Sequence, residues 1–168
     1  MKKIALIALL LLTLPGGAQN HLNVGVNGGM TIGGITSKSN IAFGAELNYL
    51  IGISEDISIG PSLNLIYFSP TPDYSGDGLL YVPVGAAFRL NTAHDRIYIG
   101  ADAGFAVGIT PSGDRGGIFF KPMIGYRLDA NFKLTAFYSG IKKKIPSYGF
   151  LGLGIVYDFL GGDEYYTF

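Results

Sequence analysis

The chain contains no cysteine. That excludes a disulfide, a thiolate metal site and a lipid-modified N-terminal cysteine. Charge is scarce: Asp, Glu, Lys and Arg make up 14% of the residues, against about 25% in a typical soluble domain. The charges cancel, 12 basic against 12 acidic side chains, so no basic field points to nucleic acid. Beyond Ala18 no apolar run reaches the roughly 20 residues that a membrane-spanning helix needs. The only histidines are His21 and His94. They stand far apart and no carboxylate pair flanks either, so neither a metal site nor a cofactor is expected.

What is present begins with an N-terminal segment of a different character. "MKK" supplies a positive start, "IALIALLLLTL" an apolar stretch and "PGGA" a run of small residues. This is the pattern of a secretory signal peptide over residues 1–18, with cleavage expected after Ala18. The remainder is one domain's length: a barrel domain over 19–160 and a short tail over 161–168.

Glycine is abundant, at 26 residues, and its placement is regular. In "YIGADAGFAVGI" (98–109) every second residue is apolar, while Gly100, Asp102, Gly104 and Gly108 fill the alternate places. Period-2 alternation marks a strand with two unlike faces. It recurs in eight segments, over about 22–32, 41–51, 57–68, 79–90, 97–109, 118–128, 132–140 and 149–159. The apolar set of each carries no charge: Leu47, Val84 and Ile155 are examples. A water-soluble sandwich or a lipocalin-type barrel would place charge on its outer face and apolar residues inside. Here the polar residues share a face with the small ones, as in a lumen. Only helices and closed barrels cross lipid with every backbone group satisfied. The expected fold is therefore all-β: an eight-stranded antiparallel up-and-down transmembrane β-barrel following a signal peptide.

The connectors support this. "GISED", "NTAHDR" and "DAN" are short. "GITSKSN", "SPTPDYSGDG", "TPSGDRGG" and "IKKKIPS" are longer and rich in Gly, Ser, Pro and Lys. Barrels of this kind keep short turns and both termini in the periplasm and longer loops outside. Aromatic residues then fall at two heights. Tyr49, Phe88, Tyr126, Phe132, Tyr157 and Phe159 lie near the periplasmic ends, and Phe43, Tyr67, Phe120 and Tyr138 near the outer ends, as two membrane interfaces favour. Pro61, Pro83 and Pro122 fall inside strands and predict local bulges.

The lumen face carries Glu46, Arg89, Asp102, Lys121, Arg127, Lys133 and Asp158. Unpaired charges in a narrow interior are costly, so these are expected to pair or meet water. Counting back from each turn places Glu46 near Asn27 and Arg89 beside Tyr98. It sets Arg127 opposite Lys133, with Asp158 as the acid that relieves the repulsion, and puts Lys121 within diagonal reach of Asp102.

"LLYVPVGAAFRL" (79–90), "IYIGADAGFAVG" (97–108), "FYSGI" (137–141) and "FLGLGIVYDF" (150–159) resemble the small outer-membrane barrels of the OmpX and OmpA-transmembrane type. More closely they resemble the PorT-like "outer membrane protein beta-barrel" family common in Bacteroidota. The resemblance implies an outer-membrane location and insertion by the barrel-assembly machinery. That machinery reads an aromatic in the last strand, here Tyr157/Phe159, with Gly161 and Gly162 ending the strand. It also implies a subunit role in a protein-export complex as one function.

The residues themselves favour a non-enzymatic barrel with a packed polar lumen and an envelope-structural or adhesive role. An outer-membrane lipid-modifying enzyme needs a base near the reacting atom, and neither His21 nor His94 reaches the outer mouth. Lys142, Lys143 and Lys144, on the last outer loop, are candidate contacts to lipopolysaccharide phosphates.

Overall fold

The computed structural model describes residues 20–92, 96–143 and 147–160. The expected signal peptide, the tail over 161–168, His94 and Lys144 lie outside the described residues. Eight strands follow one another: β1 (Asn20–Gly33), β2 (Ser39–Gly52), β3 (Ile57–Pro70), β4 (Leu79–Asn91), β5 (Ile97–Thr110), β6 (Gly117–Arg127), β7 (Phe132–Lys142) and β8 (Tyr148–Asp158). Each pairs antiparallel with the next, and β8 returns to β1 to close the barrel. Closure leaves no sheet edge, so the backbone of the ring bonds to itself. We call the end holding Asn20 and Leu160 the terminal end, and the other the loop end.

The alternation read from the sequence is the alternation of the fold. Leu47, Val84 and Ile155 are 42%, 52% and 50% exposed, whereas Glu46 and Asp102 are 5% and 1% exposed. A soluble lipocalin-type barrel would show the reverse, and that alternative falls here. A belt of apolar side chains with charge enclosed behind it is the surface of a protein that spans a membrane. Outward aromatics gather at both rims. Phe120 and Tyr138 pack 5.4 Å apart toward the loop end. Phe132, Tyr157 and Phe159 pack edge to face at 5.0 and 4.8 Å toward the terminal end.

Two expectations change. The strands run past their expected limits at the loop end, and the connectors there shrink to residues 34–38, 71–78, 111–116 and 143–147. Thr31 contributes by donating its hydroxyl to the Ser39 carbonyl, which draws β1 and β2 together above their paired region. The prolines, in turn, produce no bulge. Pairing is interrupted next to Pro61 on its β2 side, next to Pro83 on its β3 side and next to Pro122 on its β7 side, and it resumes in unchanged register each time. A missing N–H removes a rung without shifting the ladder. The register shifts that do occur lie elsewhere, between Ser39 and Ile41 in β2 and opposite Leu80/Tyr81 of β4.

The glycine face has a steric cause. Gly85 and Gly104 are register partners in β4 and β5. A Cβ on either would come within about 2 Å of backbone, 2.0 Å from the Ala103 carbonyl oxygen or 2.1 Å from that of Val84. The two strands approach too closely there for any side chain. Gly125 and Gly100 instead make room inside for the Tyr98 ring and the Arg89 chain.

The belt generates a stability prediction. Val84 lies at mid-strand, paired with Leu63 and Phe105. Val84→Arg is expected to cost about 2–4 kcal/mol in phospholipid vesicles, the range for a cation at the bilayer midplane. Reversible urea titration checks this. A change within about 0.5 kcal/mol, as at a solvated surface, would show that the face does not meet lipid.

Candidate functional site

The inward residues divide the lumen into two storeys. The storey toward the terminal end is polar and charged. Arg89 of β4 donates through Nη1 to Asp102 of β5 at 2.6 Å. Asp102 Oδ2 also accepts from Ser62 Oγ at 3.0 Å, and Ser62 in turn accepts from Asn64 Nδ2 at 2.9 Å. Lys121 of β6 reaches across the lumen to Glu46 of β2 and lies 4.6 Å above the Phe137 ring. Lys133 of β7 donates to Asp158 of β8 at 2.7 Å and to Asn23 of β1 at 3.0 Å. His21 Nδ1 approaches the same Asp158 oxygen at 2.7 Å. Arg127 donates to Asn91 at 2.6 Å and sits 5.8 Å over the Tyr98 ring. Buried charge is tolerated where each group is paired and hydrogen-bonded, and the carboxylates here accept from one to three donors.

The turns counted from sequence place these residues only in part. Arg127 is the register partner of Lys133, and Asp158 takes Lys133. Arg127 itself turns to Asn91. Glu46 faces Gly25 rather than Asn27, and Arg89 faces Gly100 rather than Tyr98. In both hairpins the partner lies two positions farther from the turn than counted. Asp102 and Lys121 are direct register partners, not diagonal ones, yet each finds its counter-ion elsewhere. His21 was missed as a lumen residue because it adjoins the expected cleavage site.

The storey toward the loop end is not polar, which corrects the expectation of a polar lumen throughout. Phe68, Tyr81, Phe119, Phe137, Tyr148, Phe150, Ile66 and Ile141 form one buried cluster, joined by Ile35 from the first loop. Phe68 meets Tyr81, Tyr148 and Phe150 edge to face at 6.1, 6.1 and 5.9 Å, the arrangement ring quadrupoles favour. The signal was present in "LIYF" (65–68) and "IFF" (118–120), where alternation lapses and both faces are apolar. Strands that bury both faces read as continuous apolar runs.

Above this plug, three groups close the mouth. Tyr81 donates its hydroxyl to Asp114 at 2.5 Å. Lys143 donates to Tyr81 at 2.7 Å and to the Asp114 carboxylate. Asp114 Oδ1 accepts from the Gly116 amide at 2.8 Å, and Gly116 has φ +75° with Ala106 backbone against it, a place only glycine fills. Of the three lysines expected to face lipid phosphate, Lys142 is exposed, Lys143 is engaged inside the mouth, and Lys144 lies outside the described residues. Among the described residues, no three His, Asp or Glu side chains converge to hold a metal.

Burial raises the Asp114 carboxyl. The hydrogen bonds from Lys143, Tyr81 and Gly116, with the Lys143 charge, outweigh it and hold the group below the usual carboxylate range. A depressed acid stabilises the folded state above its unfolded value, about 3.9. That contribution is lost as pH falls through the lower folded value. The mouth is therefore expected to stay latched at pH 4 and to release only in more acidic solution. Carboxyl-carbon NMR titration of Asp114 checks this, and a midpoint at or above the ordinary value contradicts it. In the lower storey, Lys121→Met strands the Glu46 carboxylate and is expected to cost about 3–5 kcal/mol, most of it recovered by adding Glu46→Gln. Urea titration of the single and double variants measures both numbers.

No protein-family model matches the chain, and no curated protein matches it. Solved structures do. The attachment invasion locus protein Ail of Yersinia pestis is 15% identical with a TM-score of 0.60, over 83% of this chain and 97% of that one. The N-terminal β-barrel domain of Pseudomonas aeruginosa OprF is 15% identical with a TM-score of 0.56, over 84% and 99%. Neisserial surface protein A is 17% identical with a TM-score of 0.53, over 85% and 99%. At such identities the likeness is one of fold: this chain is built as the small eight-stranded outer-membrane barrels are.

Proposed function

We propose that this chain is a non-enzymatic barrel of the bacterial outer membrane with an envelope-structural or adhesive role. Its terminal end faces the periplasm and its loop end the exterior. The observation that carries this is the filled interior. Ion pairs occupy one storey and an aromatic plug the other. The chain therefore offers its outer belt and its loops, not a passage, to its surroundings. The adhesive reading draws on the likeness to a protein described as an attachment invasion locus protein. Lys142 is exposed at the loop end of β7, which supports reading it as the contact to lipopolysaccharide phosphate.

The test combines four measurements. Detergent-extracted protein is expected to fractionate with the outer membrane, to migrate differently on gels with and without heating, and to give no steady conductance in planar bilayers. Lipid A from a deletion strain is expected to keep its acylation pattern. Fractionation with soluble material, a stable open channel, or altered lipid A would each overturn the reading. Stable co-purification with large envelope proteins would replace it with the export-complex role that the PorT-like motifs imply.

A further inference from the structure

The mouth at the loop end has a chemistry that the structural role does not use. The Lys143 ammonium lies 4.7 Å from the Tyr81 ring centroid and 4.6 Å from that of Tyr148. It also donates to two oxygens, the Tyr81 hydroxyl and the Asp114 carboxylate. Lys143 meets Tyr81 at its hydroxyl edge, so one ring (Tyr148), the Tyr81 hydroxyl and an acid converge on one ammonium and form a cage for it.

The walls of this cage do not depend on Lys143. Tyr81 belongs to β4 and Tyr148 to β8, and their rings meet at 6.0 Å. Phe68 braces both from β3 at 6.1 Å. Asp114 is fixed by Tyr81 and by the Gly116 amide. The occupant comes from just beyond the end of β7, which finishes at Lys142, and Asp114 from the connector between β5 and β6, where the Gly116 amide holds it. Preorganised walls with a tethered occupant are the arrangement of an occupied binding site, because a rigid cage keeps its affinity once its occupant leaves.

We propose that the Tyr81–Tyr148–Asp114 cage is a binding site for a primary ammonium group presented from outside the cell, and that Lys143 occupies it as an intramolecular competitor. The exterior placement rests on the orientation proposed above; the cage itself does not. The class of ligand follows from the two acceptors. A primary ammonium donates to both Tyr81 and Asp114, as Lys143 does. A quaternary ammonium meets the rings and leaves both oxygens unsatisfied. Tethering gives Lys143 a high effective concentration, so a free amine competes poorly until the lysine is withdrawn.

The experiment uses the full chain refolded in detergent, with methylammonium and tetramethylammonium chlorides as probes and sodium chloride as the ionic-strength control. The chain has no tryptophan and eleven tyrosines, so its intrinsic fluorescence comes from tyrosine, and the Tyr148→Leu variant identifies the part of any response that arises at the cage. Heat-modifiable migration confirms that each variant is folded. Lys143→Ala is expected to show a saturable response to methylammonium, roughly tenfold tighter than the unaltered protein and than its own response to tetramethylammonium. Asp114→Asn or Tyr148→Leu in the Lys143→Ala background is expected to abolish it. A folded Lys143→Ala protein with no saturable response overturns the proposal. So does a response that survives loss of Asp114 and Tyr148, or one that favours the quaternary ion. None of these results bears on fractionation or conductance, so the membrane reading stands or falls separately.

Discussion

A strand that meets hydrocarbon on one face and its own lumen on the other has no freedom of register. A slip of one residue would turn every side chain over, carrying Asp102, Lys121 and Glu46 into lipid and Ile99, Ile124 and Leu47 into the interior. The closed ring multiplies this constraint, because each strand is held by two neighbours and the last is held by the first. That is why three prolines can each remove a rung without moving the ladder. The penalty for a shifted register exceeds the loss of one hydrogen bond, about 0.5–1.5 kcal/mol net.

Inside that frame the interior is solved twice, by different physics. An eight-stranded barrel is just wide enough to be filled by its own side chains. Toward the terminal end the filling is ionic, and its pairs cross the lumen as well as the sheet. Lys121 bridges β6 to β2, and Lys133 draws together β7, β8 and β1. The second of these lies at the seam where the barrel closes, so a charge contact joins the chain's first strand to its last. Toward the loop end the filling is aromatic, and the polar latch of Tyr81, Asp114 and Lys143 lies over it, away from the hydrocarbon belt.

The fold was legible because alternation is a local signal. Each strand declares its faces within a few residues, and Leu47 or Asp102 could be assigned without knowing its neighbours. The charges were legible as a set for the same reason, but their partners were not. Counting from a turn depends on where the turn closes, and an error of two positions kept Glu46 and Arg89 on the right face while assigning the wrong partners. Lys121–Glu46 lay beyond any such count, since β6 and β2 are not adjacent. The aromatic storey was overlooked for a different reason. Phe68, Tyr81 and Phe150 alternate correctly, and only the lapse of polarity on the inward face of "LIYF" and "IFF" distinguishes a plug from a polar lumen.

Lys143 shows the limit most clearly. A lysine in a run of three at the end of a strand reads as an outward contact to lipid phosphate, because sequence carries no sign of where a long flexible side chain turns. Its position is set by residues far away in the chain. Tyr81, 62 positions earlier, and Asp114, 29 earlier, are brought to the same mouth only by closure of the barrel. Once there, they outcompete water for its ammonium, since the Tyr148 ring and two acceptors replace hydration that a half-enclosed mouth cannot supply. The same closure that hides the ionic side of the strands from lipid thus leaves Lys142 outward and draws Lys143 in. The chemistry of this mouth is therefore a property of the assembled ring and not of the loop that carries the residue.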